Sequence, residues 1–422
     1  MEHSKKKSIW TKDFTYITVA VVLSAIGGEA MNLPVSLLVF EETQSTFLSA
    51  IVMVCGMLPD IVLPIFVAPL IDKGDKKKWI VGLDGLLVFI YAVMGIWING
   101  HEFSYGLYLA FVLAVGTISV FYRLAYSAWY PDLIPAGLEQ KGYAVSGTIY
   151  PTVIVIMSPV VTFIYGKVSM GNLFLAVAAV TFISVLVESR IKSTKKNGQE
   201  VYTFRQYLED MKEGFRYMRK EKGIRNIYTY MSIANGASGG VNIITQAYYQ
   251  TQPWLTVTML GFLKSAEMIG RVLSGLFQYK KEIPQEKRYA FTKGVYLFYD
   301  AMDSVLLFMP YPLMLLNRFL CGGLGTGSAT IRETAVQSYL PEGMRARVNA
   351  LFSVIFSIGG IAFQLLAGIL GQLMPYRYAA LFIGILTLLS VFFFIILPAK
   401  ENRPVYEAVR EAAPKADLLM DS

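Results

Sequence analysis

The chain has 422 residues, of which 55% are hydrophobic and only 16% are charged, and its formal net charge is +8. Soluble domains contain roughly 25% charged residues, so the composition argues against an ordinary soluble globular protein. Long apolar stretches likewise exclude a disordered chain. Both cysteines, Cys55 and Cys321, lie in apolar stretches, so neither a disulfide framework nor a thiolate metal cluster is expected.

Twelve apolar runs reach the length of about 20 residues that a bilayer-spanning helix needs. The first carries Glu29 at its middle and is too long for a removable signal peptide, so we expect it to remain as the first helix. The sequence therefore predicts an all-α membrane protein with twelve transmembrane helices in two six-helix bundles. The approximate spans are 14–40, 47–71, 79–98, 104–130, 141–166, 172–191, 223–250, 255–278, 289–308, 311–338, 346–374 and 378–398.

The basic residues indicate the orientation of these helices. Most of the 38 lysines and arginines fall on one side: in both terminal tails, in the loop after the second run, and between the two halves of the chain. Loops rich in Lys and Arg stay in the cytoplasm, which predicts an inner (plasma) membrane protein with both termini cytoplasmic. The basic excess is thus a membrane signal, and no nucleic-acid partner is expected.

The longest polar interruption separates six runs from six. It predicts a tail at 1–13, a bundle at 14–191, a linker at 192–222, a second bundle at 223–398 and a tail at 399–422. Within the linker, Phe204, Met211 and Phe215 recur at helical spacing opposite charged residues, which predicts an amphipathic helix. Such a helix either lies on the inner membrane surface or is a solvated linker helix, and both alternatives stay open.

The two halves repeat a short pattern after their fourth helices. Pro135 is followed by Lys141 and Ala144, and Pro341 is followed at the same spacing by Arg347 and Ala350. Both copies run in the same direction on the same side of the membrane. A parallel duplication of this kind is typical of transporters and places a substrate path between the halves.

Several segments resemble a known family. The tract at 68–78 resembles the loop signature of the major facilitator superfamily, although Ala68 stands where that family usually has glycine. The segments 23–27, 129–135 and 213–217 resemble its macrolide-efflux and siderophore-exporter branch, whose members are drug:proton antiporters. The resemblance implies the major facilitator fold, alternating access and a cleft lined by helices 1, 4, 7 and 10.

The same resemblance implies a cytoplasmic gate. Asp72 would face the N-terminal end of the eleventh helix, where unpaired backbone N–H groups favour a carboxylate by about 0.3–1 kcal/mol. The simpler alternative is that the basic residues only orient the loop. The predicted gate comprises Asp72, Lys76, Lys77, Lys78, Arg345 and Arg347.

Ionisable residues inside the predicted helices are costly in lipid and are expected to pair or to face the interior. Similar depth predicts pairing of Asp84 with Arg123 and of Lys264 with Asp300. Helical spacing places Glu267 and Arg271 on the face of Lys264, and Asp303 on the face of Asp300. Mutual neutralisation would explain these groups without a transport role. The full set is Asp84, Arg123, Lys264, Arg271, Asp300 and Asp303, together with Glu267.

Glu29 and Asp60 differ because the first half offers no basic residue at equal depth. A desolvated carboxylate readily takes up a proton, which can then be released on the other side. We therefore expect Glu29 to be the first proton-coupling candidate, Asp60 the second, and Glu267 a counterpart across the cleft.

Side chains with amide or aromatic groups in helices 1, 4 and 7 are candidates for the substrate cleft, because such surfaces suit large amphipathic solutes. Tyrosine is also favoured at membrane interfaces, which is the alternative for those near the outer end. The candidates are Asn32, Tyr122, Tyr126, Asn235, Asn242, Gln246 and Tyr249.

Enzymatic functions are not expected. His3 lies in the tail and His101 in an outer loop, and neither metal-ligand spacing nor a phosphate-binding loop occurs, so no cofactor is predicted. The prediction is a monomeric, proton-driven exporter of a hydrophobic or amphipathic small molecule. The alternatives are proton-coupled uptake of a polar solute and a transport-inactive membrane sensor or scaffold.

Overall fold

The structure of the chain is a computed structural model that describes residues 8–135, 137–192, 204–280 and 283–408. Its regular structure is helical, apart from an isolated bridge between Tyr165 and Val168. The helices are α1 (Lys12–Thr43), α2 (Thr46–Val62), α3 (Pro64–Lys73), α4 (Lys76–Gly100), α5 (Tyr105–Leu133), α6 (Glu139–Ile164), α7 (Met170–Glu188), α8 (Phe204–Lys220), α9 (Lys222–Thr251), α10 (Val257–Lys280), α11 (Gln285–Val305), a 3₁₀ turn (Leu306–Phe308), α12 (Tyr311–Tyr339), α13 (Glu342–Leu373), α14 (Tyr376–Ser390), a π-helical turn (Val391–Ile396) and α15 (Ala399–Tyr406).

Local sequence sets several helix ends. Thr11, Ser45 and Ser169 each accept a backbone N–H with their hydroxyl at the start of α1, α2 and α7. The second apolar run, predicted as one helix, is divided into α2 and α3 at Pro64. Proline has no N–H to donate to the carbonyl four residues earlier, so the helix breaks there.

The helices form two bundles of six membrane-crossing segments, as predicted. In the described part of the chain, seven helices are individually long and apolar enough to cross a membrane. The pair α2 and α3 makes the second crossing, and α14 with the π-helical turn makes the twelfth. In the N-terminal bundle α1 packs on α6 and α7, and α4 packs on α7 and α5. In the C-terminal bundle α9 packs on α13 and α14, and α10 packs on α12.

The two bundles meet along α2 with α13 and along α6 with α10. We call the face where α1 begins, and where α8 and α15 lie, the linker face, and the opposite one the far face. Neutral hydrogen bonds join the bundles near the far face. They connect Ser36 to Gln246 (2.5 Å), Gln250 to the Leu37 carbonyl (3.0 Å), Thr46 to the Gly368 carbonyl (2.7 Å), Thr258 to the Thr162 carbonyl (3.5 Å), and Gln372 to Ser45.

Apolar packing strengthens the same closure. Leu33 and Leu37 of α1 share a buried cluster with Val241 and Ile244 of α9. Burying such side chains stabilises the contact by about 25 cal/mol for each Å² of apolar surface removed from water. The far face is therefore closed.

Helix α8 occupies the segment for which the sequence predicts an amphipathic helix, and it packs on α13. The Nε atom of Arg347 donates to Asp210 Oδ1 (2.6 Å), and its Nη1 atom donates to Glu213. Met211 and Met218 pack against the buried cluster of the C-terminal bundle. In this structure α8 is thus packed against the C-terminal bundle. Neither a helix on the membrane surface nor a solvated linker helix, the two alternatives from the sequence, included this packing.

Helix α15 was not predicted, because the sequence places these residues in a tail. Asn402 is fully buried and donates through Nδ2 to the Phe394 and Ile395 carbonyl oxygens. Those carbonyls belong to the π-helical turn, whose irregular hydrogen bonding leaves them available to a side chain. Tyr406 is also fully buried, so α15 is packed against the C-terminal bundle.

Candidate functional site

Two cavities lie along the interior of the molecule. The central cavity, of about 420 Å³, lies between the bundles, and the N-bundle cavity, of about 570 Å³, lies among α1, α4, α5, α6 and α7. Glu29 and Ile154 line both cavities, so Glu29 stands at their junction. The polar lining of the central cavity includes Asn235, Asn242, Lys264, Glu267, Arg318 and Gln364.

Glu29 is held by α6. The hydroxyl of Ser158, which is fully buried, donates to Glu29 Oε1 over 2.5 Å. Helix α10 approaches closely here, because a Cβ placed on Gly261 would lie 2.7 Å from the Ser158 carbonyl oxygen. Lys264 is one turn further along α10 and interacts electrostatically with both Glu29 and Glu267. A carboxylate of the N-terminal bundle thus faces a cation of the C-terminal bundle.

The predicted pairing of Lys264 with Asp300 is wrong. Asp300 is buried inside the C-terminal bundle and accepts a hydrogen bond from the Tyr230 hydroxyl (3.2 Å). Lys264 lies on the face of α10 that lines the central cavity. Equal depth in the membrane does not fix which way a helix turns its side chains, and here the two faces point to different places.

Glu267 and Arg271 lie on one face of α10, as their spacing predicts, and they form an ion pair. Arg271 donates to Glu267 Oε1 from Nη2 over 2.6 Å and from Nε over 3.2 Å. Glu267 lines the central cavity, and Arg271 contacts it from the next turn. The negative charge of Glu267 is therefore already partnered by Arg271 in this conformation.

Asp303 pairs with Arg318 of α12, which the sequence analysis had not matched. The Arg318 Nη2 atom donates to Asp303 Oδ1, and both side chains are about nine-tenths buried. Arg318 also lines the central cavity. Close packing holds this region together, because a Cβ on Gly322 would overlap the backbone of Glu267.

The predicted pairing of Asp84 with Arg123 is also wrong. Arg123 Nη2 binds Asp60 Oδ1 over 2.6 Å, with side-chain exposures of 58% and 35%. The argument that Asp60 lacks a basic partner therefore fails. Asp84 is only 2% exposed and accepts a 3.4 Å hydrogen bond from Ser24. Arg123 extends toward α2, whereas Asp84 faces α1.

The sequence analysis missed Glu188, the last residue of α7. This side chain is fully buried, and its Oε1 atom accepts a hydrogen bond from the Tyr122 hydroxyl (3.2 Å). Its Oε2 atom is buried and has no hydrogen-bond partner, and the carboxyl interacts electrostatically with Asp84. The available signal was an acidic residue inside the sixth apolar run, 172–191, which the analysis of intramembrane charges did not consider.

Most cleft candidates line a cavity. Asn32, Tyr122 and Tyr126 line the N-bundle cavity, and Asn235 and Asn242 line the central cavity. The Tyr122 and Tyr126 rings are stacked with centroids 6.3 Å apart.

Two candidates do not belong to the cleft lining. Gln246 accepts the hydrogen bond from Ser36 at the far-face closure, and Tyr249 is 1% exposed and contacts Met314 Sδ at 3.2 Å. Both lie beyond the cavities, where α9 is packed into the closed end.

Several of the described gate residues are held by local contacts. Lys77 Nζ donates to the Ser189 carbonyl (2.7 Å), and the Lys77 and Lys78 amides bind Asp75 at the start of α4, which Lys76 begins. Arg345 donates to the Leu340 carbonyl over 3.1 Å, and Arg347 binds α8. Asp72 belongs to α3, but its side chain lies outside the described residues.

Metal binding finds no support in the described ranges, where no group of three or more His, Cys, Asp or Glu side chains could hold a metal ion. His101 stacks on Trp97 with ring centroids 3.8 Å apart, and His3 lies outside the described residues. The polar chemistry of the two cavities consists of carboxylates, amides, hydroxyls and a few cations. These groups can bind an organic solute and exchange protons.

Two curated proteins of similar sequence are efflux proteins. The chain is 24% identical over 290 residues to Macrolide efflux protein A of Streptococcus pyogenes, a match covering 66% of this chain and 70% of that protein. It is 26% identical over 239 residues to Macrolide efflux protein A of Enterococcus faecalis, covering 54% of this chain and 72% of that protein.

Solved structures share the fold at low identity. The nucleoside transporter NupG has a TM-score of 0.69 at 13% identity and covers 90% of this chain and 98% of its own. A bacterial homolog of the human lysosomal transporter Spinster, in an inward-facing and unoccupied conformation, has a TM-score of 0.63 at 11% identity and covers 96% of this chain and 100% of its own. The model of the Major Facilitator Superfamily matches residues 17–299 and 301–420. With that match over nearly the whole length, and with two six-helix bundles around a cavity, the chain belongs to the Major Facilitator Superfamily of membrane transporters.

Proposed function

We propose that this transporter couples proton movement to the efflux of a hydrophobic or amphipathic small molecule by alternating access. The observation that carries the proposal is the position of Glu29. It lines both cavities, is bound by Ser158 within its own bundle, and interacts with Lys264 of the other bundle. A change in its charge therefore acts on the substrate path and on the contact between bundles together.

The coupling follows from elementary electrostatics. An ionised Glu29 attracts Lys264 across the interface, and a protonated Glu29 does not. Glu29 and Lys264 are not in direct salt-bridge contact, and the attraction between opposite unit charges at a partly shielded protein site falls from about 4 kcal/mol at about 4 Å to about 2 kcal/mol at about 8 Å. Since 1.4 kcal/mol changes an equilibrium tenfold, protonation of one carboxyl is enough to shift the balance between two arrangements of the bundles.

The lining of the cavities supports an amphipathic substrate. Tyr91, Tyr122, Tyr126 and Tyr150 present aromatic surface in the N-bundle cavity, and the central cavity adds amides and methionines. Flat aromatic faces with a few polar groups bind large amphipathic solutes without a fixed pattern of hydrogen bonds. The similar proteins of Streptococcus pyogenes and Enterococcus faecalis are named macrolide efflux proteins, which agrees with this class.

The orientation part of the proposal places the linker face in the cytoplasm and the protein, as a monomer, in the plasma membrane. The predicted boundaries at 14–191 and 223–398 then define the two bundles that move. The support is the clustering of Lys and Arg on the linker face. With the far face closed, and with Arg123 and Tyr150 exposed in the N-bundle cavity, the structure is proposed to be the inward-facing state.

The test is transport in proteoliposomes under an imposed proton gradient, using a panel of amphipathic solutes that includes a macrolide. We expect the wild type to move a panel member against its own gradient. Glu29→Gln should lose this uphill transport while still exchanging solute across the membrane, because the cavities remain. A Glu29→Gln protein that still pumps uphill under the pH gradient contradicts the assignment.

The matched control is Glu42→Gln, the same substitution on the same helix at an exposed position outside both cavities. It should transport as the wild type does. If the protein takes up polar solutes with protons and does not transport amphipathic solutes, the uptake alternative is correct and the proposal is wrong. An absence of any flux under all gradients would favour the sensor or scaffold.

A further inference from the structure

We propose that Asp84 and Glu188 form a buried carboxyl pair that holds one exchangeable proton in the N-terminal bundle, separate from Glu29. Asp84 comes from α4 and Glu188 from α7, and the two carboxyls interact electrostatically. The pair's role in transport rests on the proposed proton coupling, whereas its protonation does not.

Burial is the first argument. Asp84 is 2% exposed and Glu188 is fully buried. Two carboxylates that interact in a poorly hydrated interior cannot both remain ionised without a cation, because each raises the cost of the other's charge. A single proton on the pair removes one of the two charges and supplies a donor.

In the part of the chain that the structure describes, the nearby cations are engaged elsewhere. Arg123 follows Tyr122 in the chain, but its guanidinium binds Asp60. Lys77 approaches the end of α7, but its Nζ atom binds the Ser189 carbonyl at the exposed surface. Among the described residues, the other titratable groups that interact with Asp84 are tyrosines: Tyr91 of α4, Tyr122 of α5 and Tyr150 of α6. Helix α1 contributes Ser24 to the pair and Glu29 elsewhere in the same cavity.

The hydrogen bonding of Glu188 is the second, independent argument. Tyr122 donates to Oε1, but the buried Oε2 atom has no partner. Leaving a buried polar oxygen unsatisfied costs about 1–3 kcal/mol, and more if it is charged. A proton on Glu188 removes the charge from this carboxyl and so lowers the cost of leaving Oε2 without a partner.

The pair has a route for exchange. Asp84 lines the N-bundle cavity, whose lining also includes the exposed Arg123 and, at the other end, Glu29. Protons that enter from the linker face would therefore meet the Asp84–Glu188 pair in the same space as Glu29. The pair is suited to hold a proton close to the coupling carboxyl.

The test is infrared spectroscopy of the purified full-length protein in lipid nanodiscs at neutral pH, without substrate or gradient. The wild type should show the carbonyl band of a protonated carboxyl, and Asp84→Asn/Glu188→Gln should lose the intensity of one such group per chain. Glu29→Gln should keep that intensity, and so should Glu42→Gln. An unchanged band in the double variant overturns the proposal.

Two further measurements keep the test decisive. If the double variant does not fold, Asp84→Asn and Glu188→Gln are measured singly, and each must change the position or intensity of the band; a band unaffected by both overturns the proposal. Loss of the wild-type band on adding sodium chloride, but not choline chloride, at fixed pH would identify a sodium site instead. The infrared test does not measure transport. A negative infrared result therefore overturns the carboxyl-pair proposal only, and the Glu29 proposal is tested separately by the flux experiment.

Discussion

The Ser158 hydroxyl donates a 2.5 Å hydrogen bond to Glu29 Oε1 and so ties α6 to α1 where the two cavities meet. Ser158 precedes Pro159 in the helix, and α10 lies against both residues. A movement of α6 against α10 therefore changes the environment of the carboxyl on which the proposed coupling depends.

Removing this donor should weaken coupled transport. A hydrogen bond to a charged group contributes about 1.5–3 kcal/mol, and its loss releases the Glu29 side chain from α6. In Ser158→Ala we expect gradient-driven flux to fall about tenfold, since about 1.4 kcal/mol changes an equilibrium constant tenfold. Ser158→Thr retains the hydroxyl and should keep the wild-type flux. Unchanged gradient-driven flux in the alanine variant would show that the bond does not influence coupling.

Breaking the buried pair of Arg318 and Asp303 should destabilise the C-terminal bundle. Removing one partner leaves an uncompensated buried charge, which costs about 3–5 kcal/mol. Arg318→Met should therefore lower the thermal unfolding midpoint in detergent clearly, and Arg318→Met/Asp303→Asn should recover much of the loss. If the single and double variants unfold at the same temperature, the pair is not the source of the effect.

Gly322 should tolerate no side chain. A Cβ there would overlap the backbone of Glu267, and forced overpacking costs about 1–3 kcal/mol. We expect Gly322→Ala to lower the unfolding midpoint. Gly275→Ala is the matched control on α10, because nothing lies within 4 Å of its added Cβ, and alanine favours a helix by about 0.5–1 kcal/mol over glycine. Equal behaviour of the two variants would argue against close packing of α10 and α12.

Far-face closure can be tested by cross-linking. Gln372 donates to Ser45 across the bundle contact, so Ser45→Cys/Gln372→Cys places one thiol on each side of that contact. We expect a short bis-methanethiosulfonate reagent to join the two thiols and stop substrate flux, and a reductant to restore the flux. The wild type, with only Cys55 and Cys321, is the control and should be insensitive. Normal flux through the cross-linked protein would mean that the far face need not open.

Hydropathy predicted the twelve crossings because a bilayer demands apolar runs of a fixed length. Pro64 is a sequence signal for the break between α2 and α3, but the apolar residues on both sides of it led to the prediction of one continuous helix. Helix α15 could not be found in this way, since Asn402 is buried against carbonyls of the π-helical turn that only the folded chain exposes to it.

For the site, the sequence predicted several cavity-lining residues but not the partners of the charged residues. Glu29, Asn235 and Asn242 line cavities as their helices and chemistry suggested. Depth along the membrane follows from counting residues, but partner choice depends on helix rotation and tilt, which counting does not provide. That is why Arg123 was matched to Asp84 when it binds Asp60.

The far-face contacts have a consequence for how the transporter is driven. The bonds between Ser36 and Gln246, and between Thr46 and the Gly368 carbonyl, join neutral groups. Their strength is nearly independent of ionic strength and of external acidity, because there is no net charge to screen or titrate. A rise in salt or acid on the far-face side of the membrane should leave these contacts intact, and in the proposed mechanism the stimulus that opens them comes from the ionisable groups deeper in the protein.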